Sequence, residues 1–242
     1  MITLKLDLLP AATKAVLAKL ANEPALAGFC LVEGTAMALQ AGHRRSLDID
    51  LVTFKASLDK NDLFVAMRAQ GATLITPQSM ISAAKINGIN LLALVQDYVL
   101  DGVKVQCFTD PHGQRHSEGI QKIAGWQFGV ADLPTLFAMK SALLLKRSRS
   151  RDYFDLMWFC QQQNKTMLDI VAAAQVADDG PEVATLVEHK LLGLMPLDSD
   201  DEGLDPVGVE ITPEAIYRYF EEDVVRREVA QAHEILSSFP FR

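Results

Sequence analysis

The sequence has no long apolar run, and it lacks the features that mark export or membrane insertion. Of its 242 residues, 49% are apolar, yet no apolar run approaches the roughly 20 residues of a membrane span. Residues 1–7 show no basic region followed by an apolar block, so we expect no signal peptide there. The sequence therefore predicts a cytoplasmic globular protein with no membrane partner.

Cysteine is scarce, and the common nucleophile motifs are missing. Cys30, Cys107 and Cys160 are far apart and odd in number, which excludes a disulfide framework and shows no zinc-ligand spacing. They fit reduced thiols. Neither a Gly-x-Ser-x-Gly motif nor a cysteine–histidine dyad is present, so covalent hydrolase chemistry has no support.

Positive charge is also in short supply. The formal net charge of −8 argues against a general coat for nucleic acid. The basic residues are densest between residues 140 and 151. One interpretation is a solvated helix end whose cations favour the C-terminal dipole, and the other is a functional basic surface. The residues concerned are Lys140, Lys146, Arg147, Arg149 and Arg151.

Two aspartates one residue apart lie within an apolar run. Asp48 and Asp50 alternate with Leu47, Ile49 and Leu51, and residues i and i+2 of a strand point to the same side. Two carboxylates on one side repel each other, and a divalent cation removes that repulsion. Carboxylate oxygens suit Mg²⁺ or Mn²⁺. An isolated Asp-x-Asp is more often a solvated strand face, so the surrounding residues decide the interpretation.

The residues before the aspartates favour a nucleotide. Gly34 and Thr35 follow a strand-like run and precede a short helical segment, so their backbone can approach a phosphate. Arg45 is one of three basic or potentially basic residues at positions 43–45, and Ser46 shares the predicted side of Asp48. The combined pattern predicts a metal–nucleotide site in which Gly34, Thr35, Arg45 and Ser46 contact phosphates.

This pattern resembles the first motif of the AbiEii-type nucleotidyltransferases, a branch of the DNA polymerase beta-like superfamily that includes many toxins of toxin–antitoxin and abortive-infection systems. The matching residues run from Gly34-Thr35-Ala36 to Ser46-Leu47-Asp48-Ile49-Asp50-Leu51. The resemblance implies transfer of a nucleotide from a nucleoside triphosphate (NTP) to an acceptor, with Mg²⁺ or Mn²⁺ at Asp48 and Asp50. It suggests RNA, especially tRNA, as the acceptor, and an antitoxin as a possible partner.

A second stretch resembles a later motif of the same family. It comprises Lys140, then residues 143–147, then residues 151–156. The resemblance implies that Lys140 and Lys146 neutralise the triphosphate and that Asp152 completes the active-site charge pattern. Taken alone, Lys140 is more typical of a snorkelling surface residue, and Asp152 of an acid favouring a helix N-terminus. Asp155 is expected to support the fold by pairing with a nearby arginine.

Two positions depart from the family pattern. Glu33 precedes Gly34 where small residues are usual, and Gln106 occupies the strand position at which many polymerase beta-like enzymes carry a third carboxylate. These departures favour an alternative function. The chain would then be a catalytically degenerate nucleotidyltransferase fold that binds nucleotide or serves as a protein-interaction module.

The patterns predict an α/β (α+β) fold, a polymerase beta-like mixed sheet with helices followed by a C-terminal helical region. We expect a nucleotidyltransferase-like domain over residues 1–130 and a helical domain over 131–242 that completes the active site. Asn87-Gly88 predicts a hairpin between strands at 83–86 and 89–95, and residues 197–206 predict an exposed acidic loop. The predicted helices cover 11–22, 35–40, 60–70, 134–147, 151–162, 166–177, 182–194 and 213–237.

Overall fold

The computed structural model describes residues 4–238, and the chain divides into two compact units, with the boundary between Leu136 and Phe137. The first unit holds a mixed seven-stranded sheet with helices, and the second is helical. This architecture confirms the predicted fold class. Across the described residues, no helix combines the length and apolarity needed to cross a membrane.

The sheet of the first unit has the order β3-β4-β5-β2-β1-β7-β6. Two neighbouring pairs, β1 with β7 and β2 with β5, are parallel, and the other pairs are antiparallel. The strands are β1 (Cys30–Val32), β2 (Ile49–Thr53), β3 (Thr73–Leu74), β4 (Val95–Leu100), β5 (Val103–Thr109), β6 (Ile120–Lys122) and β7 (Gly129–Ala131).

Four helices lie within the first unit, and α2 lies against β1 and β2. They are α1 (Ala11–Leu20), α2 (Glu33–Ala41), α3 (Lys60–Ala69) and α4 (Gln78–Ile86), while α5 (Leu133–Leu143) crosses the boundary between the units. The amphipathic patterns predicted the first three of these helices. Val16, Leu17 and Leu20 of α1 are fully buried, as their spacing requires.

Strict alternation along β4 and β5 separates a core face of the sheet from a more polar face. Tyr98, Val105 and Ile49 lie in one row on the core face and are fully buried. Asp97 and Gln106 belong to the opposite face and are half-buried. The central strands therefore carry polar side chains at the positions where one side of the sheet is accessible.

The predicted hairpin at Asn87-Gly88 is wrong. Residues 83–86 belong to α4, whose end is formed by Asn87 donating its backbone N–H to Ala84 and by Gly88 at a φ of +71°. An Asn-Gly pair suits a helix C-terminus as well as a two-residue hairpin, because both require left-handed backbone. The strand β4 begins only at Val95, and the true hairpin turn is Asp101-Gly102.

The second unit is built from the remaining helices around one apolar core. They are α6 (Ser150–Gln162), α7 (Met167–Ala177), α8 (Val183–Leu191) and α9 (Pro213–Ser238). A capping box between Thr166 and Asp169 fixes the start of α7. Ile216 and Phe220 of α9 are fully buried, and α9 contacts each of the other three helices. These four helices were predicted within a few residues.

A glycine just after α8 gives a test of the packing. Gly193 has a φ of +69°, and a Cβ there would lie 2.5 Å from Cδ2 of the Tyr217 ring. Gly203 has nearly the same φ, +71°, with nothing within 4 Å. We expect Gly203→Ala to lower the free energy of unfolding by about 1 kcal/mol through the backbone alone. Gly193→Ala should cost about 2 kcal/mol more, because the ring must shift. Urea unfolding followed by circular dichroism measures both, and equal losses would contradict this account.

Candidate functional site

Asp50 and Asp48 lie at the start of β2, near the middle of the sheet. Asp50 is the second residue of the strand and is in register with Val32 of β1 and Gln106 of β5. Asp48 directly precedes the strand. Ile49 between them is fully buried, whereas both aspartates are half-buried. This alternation is what two carboxylates sharing the accessible side of an extended chain require.

Two threonine hydroxyls hold the segment that leads into β2. The Thr35 hydroxyl donates to the backbone carbonyl of Asp48, and the Thr13 hydroxyl lies 3.4 Å from the carbonyl of Ser46 and 3.3 Å from that of Leu47. Residues 46–48 lie outside the strand, so these hydroxyls supply hydrogen bonds that a ladder would otherwise give. The Thr35 side chain therefore positions Asp48. The phosphate contact predicted for Thr35 would then come from its backbone N–H.

Gly34 allows a guanidinium and a hydroxyl to approach the first turn of α2. A Cβ at Gly34 would lie 2.8 Å from Nη2 of Arg44 and 2.9 Å from Oγ of Ser46. The N–H groups of a helix's first turn and a guanidinium both favour an anion. The structure thus brings the predicted residues Gly34 and Ser46 together and adds Arg44.

The arginine beside Gly34 is Arg44, the neighbour of the predicted Arg45. The Arg45 side chain is exposed, and its backbone carbonyl accepts a hydrogen bond from Nη1 of Arg44, at 3.1 Å. The phosphate contact expected of Arg45 stays a prediction, although the sequence contains both arginines at this corner. No signal in the sequence distinguishes them, because the chain between α2 and β2 is irregular and has no periodicity.

The turn before Gly34 contains an unusual backbone. Glu33 begins α2 with a φ of +58°, a region that L-residues adopt at a cost and that glycine adopts freely. Glycine here would relieve this strain, which gives a physical reason for a small residue at this turn in the family. Glu33 is half-buried.

Gln106 links the aspartate pair to a carboxylate that sequence reasoning missed. Its Nε2 donates to Oδ1 of Asp97 at 2.6 Å, and Asp50, Gln106 and Asp97 occupy one row across β2, β5 and β4. Burial raises the pKa of the Cys107 thiol beside this row, and the charges of Asp50 and Asp97 raise it further. The alternation of β4 was the available signal, but the false hairpin at residue 87 obscured it.

The donor set fits a divalent cation that is shared with a substrate. Among residues 4–238, no three His, Cys, Asp or Glu side chains gather into a complete metal site. Mg²⁺ rarely needs one, since it commonly binds one or two carboxylates together with waters and substrate phosphates. Asp48 and Asp50 offer hard oxygen donors of this kind, and the anion-favouring turn at Gly34 precedes them.

The second unit contains its own buried ion cluster. Nζ of Lys140 lies 2.6 Å from Oδ1 of Asp152 and 3.2 Å from Oδ2 of Asp155. Nε of Arg147 donates to Oδ2 of Asp152, also at 2.6 Å. Lys140 is 2% exposed, so the snorkelling alternative is wrong, and Asp155 pairs with Lys140 where an arginine was expected. The functional roles predicted for Lys140, Lys146 and Asp152 stay predictions.

The acidic loop at residues 197–206 forms ion pairs with part of the basic stretch at residues 140–151. Asp200 pairs with Arg149 at 2.6 Å and Glu202 with Arg151 at 2.8 Å. Asp201 accepts from the backbone N–H and the hydroxyl of Ser150 and so caps α6. The loop is exposed as predicted, since the Asp200 and Glu202 side chains are 70% and 69% exposed, and its ion pairs are an additional feature. Lys146 is also exposed.

The strain at Glu33 predicts that a glycine variant is more stable than an alanine variant at this position. Glu33→Gly and Glu33→Ala both remove the carboxylate, but only glycine relieves the positive φ. We expect the glycine variant to exceed the alanine variant by about 1 kcal/mol in the free energy of unfolding. Urea denaturation of the two variants side by side measures this difference, and an alanine variant of equal stability would show that the turn carries no strain.

The Lys140–Asp152 pair predicts a pH-dependent loss of stability. Burial raises the pKa of Asp152, but Lys140 and Arg147 outweigh it and hold the pKa below the ordinary 3.8. The ionised Asp152 carboxylate therefore contributes its full stabilisation of the folded state above pH 3.8. This stabilisation is lost as the pH falls through the lowered pKa. At neutral pH, Asp152→Asn should lower the free energy of unfolding by about 3 kcal/mol. The gap in this free energy between variant and parent should narrow only below pH 3.8, the ordinary pKa of aspartate.

Urea denaturation at several pH values measures this gap. The exposed partner of Arg149 provides the control, since Asp200→Asn removes a surface pair worth at most about 1 kcal/mol. A gap for Asp152→Asn that closes already near neutral pH would contradict the depressed pKa.

The comparisons with known proteins agree with this geometry. A family model described as the AbiEii nucleotidyl transferase toxin of type IV toxin–antitoxin systems matches residues 16–206. No curated protein matches the chain.

Two crystal structures from Helicobacter pylori match the chain over most of its length. One is described as a candidate nucleotidyltransferase, with a TM-score of 0.50 at 16% identity over 92% of this chain and 95% of that chain. The other, JHP933, has a TM-score of 0.43 at 14% identity over 90% of this chain and 96% of that one. The first confirms the nucleotidyltransferase-like fold. Since the family match spans most of the chain and both motifs, this chain belongs to the AbiEii family of nucleotidyltransferase toxins.

Proposed function

We propose that this protein is a metal-dependent nucleotidyltransferase that moves a nucleotide from an NTP to an RNA acceptor, with tRNA as the preferred class. One observation carries the proposal. Arg44 and Ser46 pack against Gly34 at the start of α2, and the chain then runs directly into Asp48 and Asp50. A site that favours phosphate is thus followed at once by a pair of metal-binding carboxylates.

The triphosphate would bind at the first turn of α2. The backbone N–H groups of that turn, the guanidinium of Arg44 and the hydroxyl of Ser46 supply donors from three directions. A guanidinium can donate two parallel hydrogen bonds to one phosphate group, which fixes its orientation as well as its charge. Because Gly34 has no side chain, these donors reach the phosphates without a steric barrier.

Asp48 and Asp50 would hold Mg²⁺ or Mn²⁺. When bound, the cation neutralises charge on the phosphates and draws the NTP against the carboxylate pair. The two carboxylates stay in place because Thr35 fixes the backbone of Asp48 and the sheet fixes Asp50. This rigidity aligns the α-phosphate for attack and lowers the cost of ordering it.

The transfer itself exchanges a phosphoanhydride bond of the NTP for a phosphodiester bond to the acceptor. A hydroxyl of the acceptor attacks the α-phosphorus and forms a new oxygen–phosphorus bond. The bond from the α-phosphorus to the bridging oxygen breaks, pyrophosphate leaves with that electron pair, and the hydroxyl proton passes to solvent. The donors around Gly34 hold the charge that develops on the leaving group.

The family supplies the argument for the biological role. Its type IV toxin–antitoxin description supports a toxin with a cognate antitoxin as partner. RNA as the acceptor is our proposal from the resemblance of the two motifs. A net charge of −8 means that RNA would bind through local donors, with no general basic surface.

A second candidate function rests on Gln106. An amide at the position of a third carboxylate gives the row beside Asp50 one negative charge fewer than a carboxylate there would give. This observation favours a degenerate site that binds nucleotide without turnover. The two functions differ in one observable, the covalent transfer of label.

The test is incubation of the purified protein with Mg²⁺, total RNA and each α-labelled NTP in turn. Asp48→Ala should reduce labelling of RNA by about 100-fold or more, since the cation supplies several kcal/mol. Its thermal midpoint should stay within a few degrees, because the Thr35 bond goes to the backbone of residue 48. Asp62→Ala, at an exposed carboxylate of α3, should leave labelling unchanged.

Each outcome separates the two functions. Label in RNA with the parent protein and its loss in Asp48→Ala supports the transferase. Nucleotide binding without label in RNA favours the degenerate site, and equal labelling by parent and Asp48→Ala would refute the proposed metal site. Growth arrest on expression, relieved by Asp48→Ala, would support the toxin role.

A further inference from the structure

We propose that Asp97 is a positioning residue that orients the Gln106 side chain, so that its amide oxygen acts as a neutral third oxygen donor beside Asp50. The inference rests on the proposed function, since it concerns the metal of that same site. It starts from the polar row of Asp50, Gln106 and Asp97 that crosses β2, β5 and β4.

The hydrogen bond between Gln106 and Asp97 sets the polarity of the amide. Nε2 of Gln106 lies 2.6 Å from Oδ1 of Asp97. An ionised carboxylate only accepts hydrogen bonds, so the NH₂ group of the amide must face Asp97. The amide is planar, and its oxygen is therefore turned away from β4. Gln106 lies between the two aspartates in the row, which places Asp50 on its other side.

Asp97 is too remote to share a cation with Asp50 directly. Two strand spacings of about 4.8 Å each separate β2 from β4, whereas Mg²⁺ ligands lie about 2.1 Å from the ion. Asp97 must therefore act through Gln106. Groups that orient a metal ligand commonly change metal affinity by about 10- to 100-fold when they are removed.

The backbone around Asp97 is fixed from the edge side of the sheet. The Asp97 N–H donates to Oγ1 of Thr76 at 2.9 Å, and its carbonyl accepts from the Ile75 N–H at 2.8 Å. Gln106 is held by ladder pairing with β2 and β4. Both side chains thus start from rigid strands, which is the condition for orienting a ligand accurately.

The experiment measures Mn²⁺ binding to the full chain without nucleotide, from the electron paramagnetic resonance signal of free Mn²⁺. Asp97→Ala and Gln106→Leu should each raise the dissociation constant by about tenfold. The double variant should bind no more weakly than Gln106→Leu alone, because Asp97 acts only through the amide. Asp62→Ala, which removes an exposed carboxylate from α3, is the matched control and should leave binding unchanged.

A double variant that exchanges the amide and the carboxylate tests the orientation of the Gln106 amide without removing either polar side chain. In the variant carrying Asp97→Asn and Gln106→Glu, the amide at position 97 donates to the carboxylate at position 106. The second oxygen of that carboxylate then faces Asp50. Mn²⁺ should bind at least as tightly as it does to the parent. Weaker binding than in Gln106→Leu would overturn the proposal, even if the alanine variant folded poorly.

The failure of this inference can be told apart from failure of the proposed function. If Asp50→Asn abolishes Mn²⁺ binding while Asp97→Ala leaves it unchanged, the metal site stands and the positioning role is wrong. If the losses of Asp97→Ala and Gln106→Leu multiply, Asp97 acts by its own charge and the role is also wrong. If the parent binds no Mn²⁺ without nucleotide, the positioning role is wrong, while the proposed function is still decided by the labelling of RNA. If Asp50→Asn binds Mn²⁺ fully, both proposals fail.

Discussion

The fixed backbone of the segment that carries Asp48 and Asp50 is the constraint on which the proposed site depends. A chain with no need to keep them together would let Asp48 turn away, because it lies outside β2. The Thr35 and Thr13 hydroxyls prevent this by binding the carbonyls of residues 46–48. Their side chains are 0% and 1% exposed, so these hydrogen bonds are shielded from competing water. The fold thus keeps both aspartates half-buried on either side of the buried Ile49, the alternation that a shared cation would need.

In the second unit, buried groups of opposite charge compensate one another. Lys140 and Arg147 face Asp152 and Asp155, so the buried cluster contains equal numbers of positive and negative groups. The acidic loop does the same for Arg149 and Arg151 nearer the surface. In a balanced cluster the opposite charges compensate one another, so the cluster needs no external ion for its stability. The density of basic residues in the sequence therefore has a structural explanation for the residues that are paired with aspartate or glutamate.

The sequence predicted those features of the candidate site that depend only on residues close together in the chain. The Asp48-x-Asp50 alternation and the Gly34 turn follow from short-range rules, and both lie where the motif predicted. Arg44, Asp97 and the partner of Lys140 depend on which side chains meet across an irregular segment, a sheet or a helix pair, and no local pattern encodes such meetings. The Asn87-Gly88 error has the same origin, because the dipeptide specifies left-handed backbone without specifying which element it ends.

The neutral residue at position 106 has a consequence for how the site assembles. If Asp48 and Asp50 hold the proposed cation, they offer it two negative charges, and its remaining ligands are neutral oxygens or phosphates. Mg²⁺ gives up water reluctantly, so such a site gains most of its affinity when the triphosphate arrives with its own charge. Metal and nucleotide then bind cooperatively, each stabilising the other by the same coupling free energy. A third carboxylate would instead favour the metal alone, and its additional charge would repel the triphosphate that the turn at Gly34 attracts.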